Sequence, residues 1–483
     1  MNRALSIILI YFFLFGSLKS QEQLGLRLEN YSGINAVYTN PANSFLTPYS
    51  WDVNVISAGV FFNNNYLYLK NTSTFKLLKN IRDINIEYDS KNKTKEFYRN
   101  KTVFLDFYDR MKKSFFSLSG ILNGPSFFIR INENNSIAFV SAYRFFGSLW
   151  DIPKELSFYS YYNKPYYQSF PISSFNSGFI SWQEYGINYV NKIKGYSSNT
   201  LLGVTVKYLV GNDAMFFENK KIFQFQQLPH DSIAAIDRLD LQFGYTDSNF
   251  KFYSFPLRNN GSGASIDLGA TMIFGEGIND YKFRIGVSLL DLGFITFDKN
   301  SYKYMIDVDT TTKIDVNEFS DAFQSMTLMD INEVLSRQIF MDPHKTLIAN
   351  SFKMWLPVAL SIQFDYSFSK LIYLNGTLYQ GLTRRAHSVK RESLLAVSPR
   401  IEHRWFSFST PLILYNWKDF RLGTSVRLAY IVIGTDDLYS LFTNHARYSG
   451  SDLFIGIKFN PFPMGKRNHH MRNLNRNIKC YEF

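Results

Sequence analysis

Tyr281-Lys282-Phe283-Arg284-Ile285-Gly286-Val287-Ser288-Leu289 alternates residue by residue between apolar and polar side chains. Val358-Ala359-Leu360-Ser361-Ile362-Gln363-Phe364-Asp365-Tyr366 does the same. A period of two belongs to a β-strand, because successive Cβ atoms point to opposite faces of a sheet. The pattern recurs along the chain with no second long apolar run behind the N-terminus. It reads as an all-β protein, a transmembrane antiparallel β-barrel of about fourteen strands with about twelve as the alternative and long extracellular loops.

The ends of the chain frame that barrel. Residues 1–20 carry Arg3, an apolar core from Leu5 to Phe15 and a small residue at Ser20, the pattern of a cleaved Sec signal peptide; an uncleaved anchor is the alternative. No Cys stands at the cleavage site, which excludes a lipoprotein, and Cys480 alone leaves no intramolecular disulfide. Residues 21–50 are too polar to cross lipid, residues 51–462 form the barrel, and residues 463–483 a basic periplasmic tail. Lys466, Arg467, Arg472, Arg476 and Lys479 in that tail suit either a solvated end or an acidic or lipid-headgroup partner.

Composition agrees. A mean hydropathy of −0.16 is too polar for a bundle of membrane helices. Yet 47 Phe and 32 Tyr exceed what a soluble enzyme needs, and barrels gather aromatics into girdles while exposing only alternate residues to lipid. Two of the net +12 charges, on Arg3 and Lys19, leave with the leader.

The expected strands are Trp51–Phe62, Ser114–Ile131, Ser136–Ser148, Phe179–Ile193, Asn199–Val210, Ser262–Gly275, Asp280–Phe297, Ser351–Tyr366, Ser369–Leu382, Leu394–Tyr415, Asp419–Val432 and Ser451–Phe462. A further hairpin, Ile236–Asp247 with Phe250–Leu257, brings the number to fourteen and keeps short turns on one side and long loops on the other. Among the short turns is Asn416-Trp417-Lys418, placed on the periplasmic side. Asn317–Gln338 is expected to hold a helix packed locally on the barrel mouth.

Alternation also assigns faces. Leu202, Val204, Val206, Tyr208, Ile266, Leu268, Met272, Leu422, Val426 and Leu428 face lipid. Arg144, Lys207, Asp267, Lys282, Arg284, Asp365, Arg421, Arg427 and Lys458 take the other face, because Arg or Lys against lipid at the midplane costs roughly 2–4 kcal/mol. The lumen is therefore charged with a basic excess, either as a stiffening salt-bridge network or as a path for an anionic, amphipathic solute.

Asn40-Pro41-Ala42, shortly before the first strand, resembles the hatch motif of FadL-type fatty acid transporters and of PorV and PorP/SprF-like barrels of Bacteroidota. Asn123-Gly124-Pro125-Ser126-Phe127 with Ile137-Ala138-Phe139 and Arg144 extends the likeness. So do Gly261–Gly269 before Ile285–Gly293, and Ile433–Leu438 before Gly450–Lys458. The resemblance runs from Leu26 to Phe462 and is to a Bacteroidota outer-membrane barrel family of unknown function related to those groups. It implies that residues 21–50 form an N-terminal hatch or plug segment inside the barrel, with Asn40, Pro41 and Ala42 in it. It further implies either passage of hydrophobic or amphipathic solutes through a hatch-gated lumen, or a non-transporting accessory barrel of a secretion, gliding or barrel-assembly complex.

Other chemistry has little support. The seven His show no metal spacing, no Gly-x-Ser-x-Gly elbow is present, and Cys480 has no structured acid–base neighbour. No enzyme, catalytic residue, metal or cofactor is expected. The expected partners are outer-membrane lipid and envelope or secretion-complex proteins, and not nucleic acid.

Overall fold

In the computed structural model, the residues described are 22–70, 72–79, 85–88, 102–108, 113–157, 165–229, 233–247, 258–275, 277–278, 280–315, 317–318, 327–382, 386–442 and 447–460. The leader, the basic tail and Phe250–Leu257 lie outside them.

Fourteen antiparallel strands close into one barrel. They are β1 (Trp51–Asn64), β2 (Lys113–Asn123 continued by Ser126–Arg130), β3 (Asn135–Pro153), β4 (Phe175–Lys194), β5 (Ser198–Asn219), β6 (Gly261–Gly275) and β7 (Tyr281–Phe297). There follow β8 (Phe352–Trp355 and Ala359–Ser367), β9 (Ile372–Gly381), β10 (Leu394–Glu402), β11 (Phe406–Ser409 and Leu412–Tyr415), β12 (Asp419–Leu422 and Thr424–Leu428), β13 (Ile431–Thr435) and β14 (Gly450–Phe459). β14 pairs back onto β1 from Val53↔Phe459 to Asn63↔Gly450, so the sheet has no open edge. Closure satisfies every ladder without water, which a strand in lipid requires.

The alternation has its physical counterpart in exposure. Leu202, Val206, Tyr208, Leu268, Met272, Leu422, Val426 and Leu428 are exposed on the outside, while Leu201, Lys207, Asp267 and Arg427 beside them are buried. An outward apolar band round a closed sheet is the surface a bilayer solvates. Among the described residues no helix is long and apolar enough to span a membrane.

Fourteen strands are reached by a route other than the expected one. Leu394–Tyr415 is two strands, folded at His403–Trp405, and Asp419–Val432 is cut at Ala429-Tyr430. Leu239–Thr246 is a strand but not a wall stave: it pairs with the top of β5 and with Ser301–Val308, extending the rim above β6 and β7. The fold at His403–Trp405 also moves Asn416-Trp417-Lys418 to the end that carries the long loops. Asn416 and Trp417 there have φ of 47° and 60°, a tight hairpin geometry. The expected helix is observed as Leu328–Phe340, shorter than expected. Thr327 and Asp330 close a capping box at its start, and Asn332 Nδ2 donates to the Tyr245 hydroxyl at 3.0 Å.

Candidate functional site: a plugged lumen and its mouth

Residues 22–50 lie inside the barrel as three short helical turns, Leu24–Arg27, Gly33–Tyr38 and Pro41–Leu46. Asn40 anchors them. Its Oδ1 accepts from the Ala42 amide at 3.0 Å, capping the last turn with Pro41 at its first position. Its Nδ2 lies 3.1–3.3 Å from Ala270 O, Thr271 Oγ1, Val287 O and Gln363 Oε1 on three different strands. Asn188 Nδ2 donates to Pro41 O at 3.1 Å, and Ser44 Oγ donates to Asn188 Oδ1 at 2.9 Å. The wall makes room for this: a Cβ on Gly203 would stand 2.4 Å from Ala42 N, and one on Gly269 2.0 Å from Asn40 Oδ1. Asn-Pro-Ala is thus keyed into a glycine-lined slot.

The charges facing the lumen form two main networks. In the first, Arg144 forks onto Asp291 at 2.7 and 2.8 Å and reaches Glu184 at 3.2 Å. Lys207 meets Asp267 at 2.7 Å and Asp291 at 3.3 Å. Arg391 bridges Asp291 at 3.2 Å and the hatch residue Glu22 at 2.8 Å, and Arg27 of the hatch meets Glu22 at 3.5 Å. Asp291 owes its reach to a bulge. Leu290 and Asp291 together oppose Asp267, and Asp291 takes φ 58° with its amide on Asp267 Oδ1 at 2.7 Å. A bulge re-aims a side chain in this way, and φ in this region is costly for a non-glycine residue.

In the second network, Asp365 is held by Arg284 at 2.6 Å and Arg400 at 2.8 Å, and Arg400 also pairs with Glu402. Arg427 binds the hatch residue Glu29 at 2.8 Å. Lys458 meets Asp52 at 3.3 Å and the carbonyl of Tyr31.

The sequence expectation of a basic excess is corrected by these partners. Arg27, Arg144, Lys207, Arg284, Arg391, Arg400, Arg427 and Lys458 face Glu22, Glu29, Asp52, Glu184, Asp267, Asp291, Asp365 and Glu402, eight cations on eight carboxylates. Glu22, Arg27, Glu29, Asp52, Glu184, Asp291, Arg391, Arg400 and Glu402 were absent from the face assignment. Those of the hatch, the strap and the bulge lie where strand alternation gives no sign, whereas Asp52, Glu184, Arg400 and Glu402 stand on strands, where alternation could have placed them. Lys282 also differs. A register shift between Phe274 and Gly275 turns Tyr281 inward, its hydroxyl on Asp365 at 2.8 Å. Lys282 is left exposed, 5.0 Å from the Tyr366 ring. Arg421 lies high in the lumen, donating to Asn63 Oδ1 at 2.7 Å and 3.5 Å from Asp437.

Above the hatch the β9–β10 connection folds inward as a strap. The His387 amide donates to Glu218 at 2.7 Å on β5, the Lys390 amide to Ser148 Oγ at 2.8 Å on β3, and Trp355 on β8 donates to His387 O at 3.0 Å. Val389 is fully buried with Phe146, Trp182, Phe216, Phe297 and Met354, an apolar layer over the ion pairs. Two cavities beside the hatch hold only about 10 and 20 Å³, room for about one water each. Outside the strap, a mouth cavity of about 450 Å³ opens between β2, β3, the strap and the 416–418 turn. Glu392 lines it, and burial pushes this carboxyl up to about 7.

Fold and plug together define a hatch-filled, fourteen-stranded transmembrane barrel. The chain belongs to a family of unknown function (DUF5723), whose pattern matches residues 41–436, from the proline of Asn-Pro-Ala onward. No curated protein matches it. Similar solved structures include the Ralstonia pickettii toluene transporter TbuX, at 8% identity over 89% of this chain and 95% of that one, with a TM-score of 0.37. The Pseudomonas putida toluene transporter TodX matches at 6% identity over 89% and 93%, TM-score 0.37. The outer membrane protease OmpT from Escherichia coli matches at 6% identity over 86% and 98%, TM-score 0.22.

Proposed function

We propose that this protein is an outer-membrane barrel, exported by a Sec leader over residues 1–20, that passes hydrophobic or amphipathic solutes when the hatch yields. The carrying observation is how residues 22–50 are held. Apolar contacts of Leu24, Leu28, Ile34, Val37, Phe45 and Leu46 with the wall share the hold with hydrogen bonds and ion pairs, and two hatch carboxylates, Glu22 and Glu29, complete networks that belong otherwise to the wall. The polar part of that hold can exchange for other polar partners. Asn40, Pro41 and Ala42 serve as the key of the hatch. The finer likeness, to PorV- and PorP-like barrels of Bacteroidota, belongs to the same proposal.

The sealed lumen favours a second reading, a non-transporting accessory barrel that serves envelope or secretion-complex proteins. One experiment separates the two: single-channel conductance and lipophilic-dye uptake in bilayers, with mature protein and with a form lacking residues 21–50. Conductance or uptake that rises on deletion supports passage. Silence in both forms overturns it and leaves the accessory reading.

A further inference from the structure

The turn at residues 416–418 is built against the preference of its own backbone. Asn416 and Trp417 hold φ of 47° and 60°, a left-handed pair whose second place goes to glycine by preference, since a Cβ there is penalised. The chain sets a tryptophan in that place and leaves it 53% exposed, so packing offsets little of the strain. On the β3 side, Asp151 after Trp150 is left-handed too, at φ 60°, where the β2–β3 ladder slips between Ser114 and Phe116. Trp150, Asp151, Asn416 and Trp417 all line the mouth cavity of about 450 Å³. Bulges and strained backbone of this kind gather at ligand clamps, where they re-aim side chains. The clamp is fixed in place. The Asn416 amide donates to Ser393 O at 2.8 Å, and the Ser393 amide donates to Asn416 Oδ1 at 3.2 Å, latching the turn to the strap.

The chemistry of the lining selects the occupant. Among the described residues there, Leu149 is the one aliphatic side chain, while Asn65, Gln380 and Glu392 set amide and carboxyl groups beside the rings. An alkyl chain laid against such groups would strip them of water and return no hydrogen bond. A pyranose suits both halves: its C–H face stacks on the negative face of an indole, and its hydroxyls give and take hydrogen bonds around the edge. The volume lies within the range of small-molecule sites, roughly 300–1,000 Å³. Charge narrows the choice further. Lys113, Lys390 and Lys418 are exposed at the opening, and Asp151 engages Lys113 at 3.3 Å. Lys390 and Lys418 are left without a carboxylate partner among the described residues. We propose that this cavity binds an acidic saccharide, a pyranose unit carrying a carboxylate, stacked on Trp417 and walled by Trp150, with its charge on Lys390 and Lys418. Such a unit can arrive free in solution or on a glycolipid of the surrounding leaflet. The site lies outside the strap, so it stands whether or not the hatch yields.

The test is isothermal titration calorimetry of the intact mature protein in phosphatidylcholine nanodiscs, with digalacturonate, cellobiose and decanoate. Digalacturonate is expected to bind saturably, about tenfold more tightly than neutral cellobiose, and to resist displacement by decanoate. Trp417→Gly removes the platform and the strain together. It is expected to weaken digalacturonate about tenfold while raising the unfolding midpoint, a pairing that a merely structural tryptophan would not give. Lys390→Gln combined with Lys418→Gln is expected to bring digalacturonate down to the cellobiose level and leave cellobiose unchanged. Lipopolysaccharide added to the disc assigns the source: loss of the digalacturonate heat puts the glycolipid in the cavity, and an unchanged isotherm puts a free saccharide there. The proposal is overturned by the lack of saturable digalacturonate binding in discs without lipopolysaccharide, by equal binding of cellobiose, by displacement with decanoate, or by native affinity in Trp417→Gly.

Discussion

Gly203 shows how a single residue sets the state of the lumen. A methyl group there would sit 2.4–2.6 Å from the backbone of Pro41 and Ala42, and backbone on both sides leaves neither partner a rotamer to retreat into. Gly203→Ala is expected to unseat the hatch, at about 1–3 kcal/mol for overpacking. Gly376→Ala, where a Cβ meets nothing within 4 Å, is the control. Limited proteolysis of residues 22–50 reads the difference, and equal protection in the two variants would show that the slot does not hold the hatch. Glu392 gives a prediction in pH. Burial raises its carboxyl from 4.5 to about 7, against the opposing pull of Arg421 and the amides of Asn63 and Asn416, with Asp419 adding to the rise. The neutral form is therefore favoured by folding. Its contribution is fully present below about 4.5 and is lost as the pH climbs through about 7, on the order of a few kcal/mol. Unfolding midpoints from pH 4 to 9 should fall for the native protein relative to Glu392→Gln across that window. Parallel curves would remove Glu392 from the account. At this scale the sequence was only half legible. Arg144, Lys207 and Arg427 could be placed from alternation because lipid forbids them the other face. Asp267, the partner of Lys207, follows the same rule, but Glu29 and Asp291 do not, since Glu29 comes from the hatch and Asp291 points inward only through a bulge.

Elements were legible where the turn chemistry was conventional. Asn132–Asn135 and Gly195–Ser198 punctuate their hairpins with residues that tolerate turn backbone, and the strands on either side fall close to where alternation puts them. The β10–β11 and β12–β13 turns use His403-Arg404-Trp405 and Ala429-Tyr430, with no Gly, Asn, Asp or Pro, so two strands merged into their neighbours. The Ile236–Leu257 segment restored the count for an unrelated reason: its first half is a true strand, but one that builds the rim. Ala429 carries the cost of this unconventional turn, with φ 50°. Ala429→Gly removes a left-handed penalty of about 1–2 kcal/mol and adds back part of it as unfolded-chain entropy. A net gain of roughly 0.5–1 kcal/mol in a urea midpoint is expected. A loss instead would mean that the Ala429 methyl makes contacts worth more than the strain.

The two main ion-pair networks of the lumen balance only with the hatch in place. The wall and strap contribute Arg144, Lys207, Arg284, Arg391, Arg400, Arg427 and Lys458 against Asp52, Glu184, Asp267, Asp291, Asp365 and Glu402, seven cations to six carboxylates. The hatch supplies Glu22 and Glu29 against Arg27, which closes the difference. Removing residues 21–50 therefore leaves these two networks nearly neutral. Their one-charge excess is spread over two levels, beside Arg391 and beside Arg427. Ions in a wet lumen of mixed sign, screened over about 8 Å at physiological salt, see little net field. The hatchless barrel is expected to conduct with a cation-to-anion permeability ratio near one in a salt gradient. A strong anion preference, the behaviour of a basic lumen, would mean that the carboxylates of the wall rearrange or protonate when the hatch leaves. Adding Arg427→Gln to the deletion removes the remaining excess charge. It should leave the ratio unchanged within about twofold, because a single charge at one level is screened from the rest. A large swing on that one substitution would place the selectivity of the pore at the Arg427 level instead of distributing it along the wall.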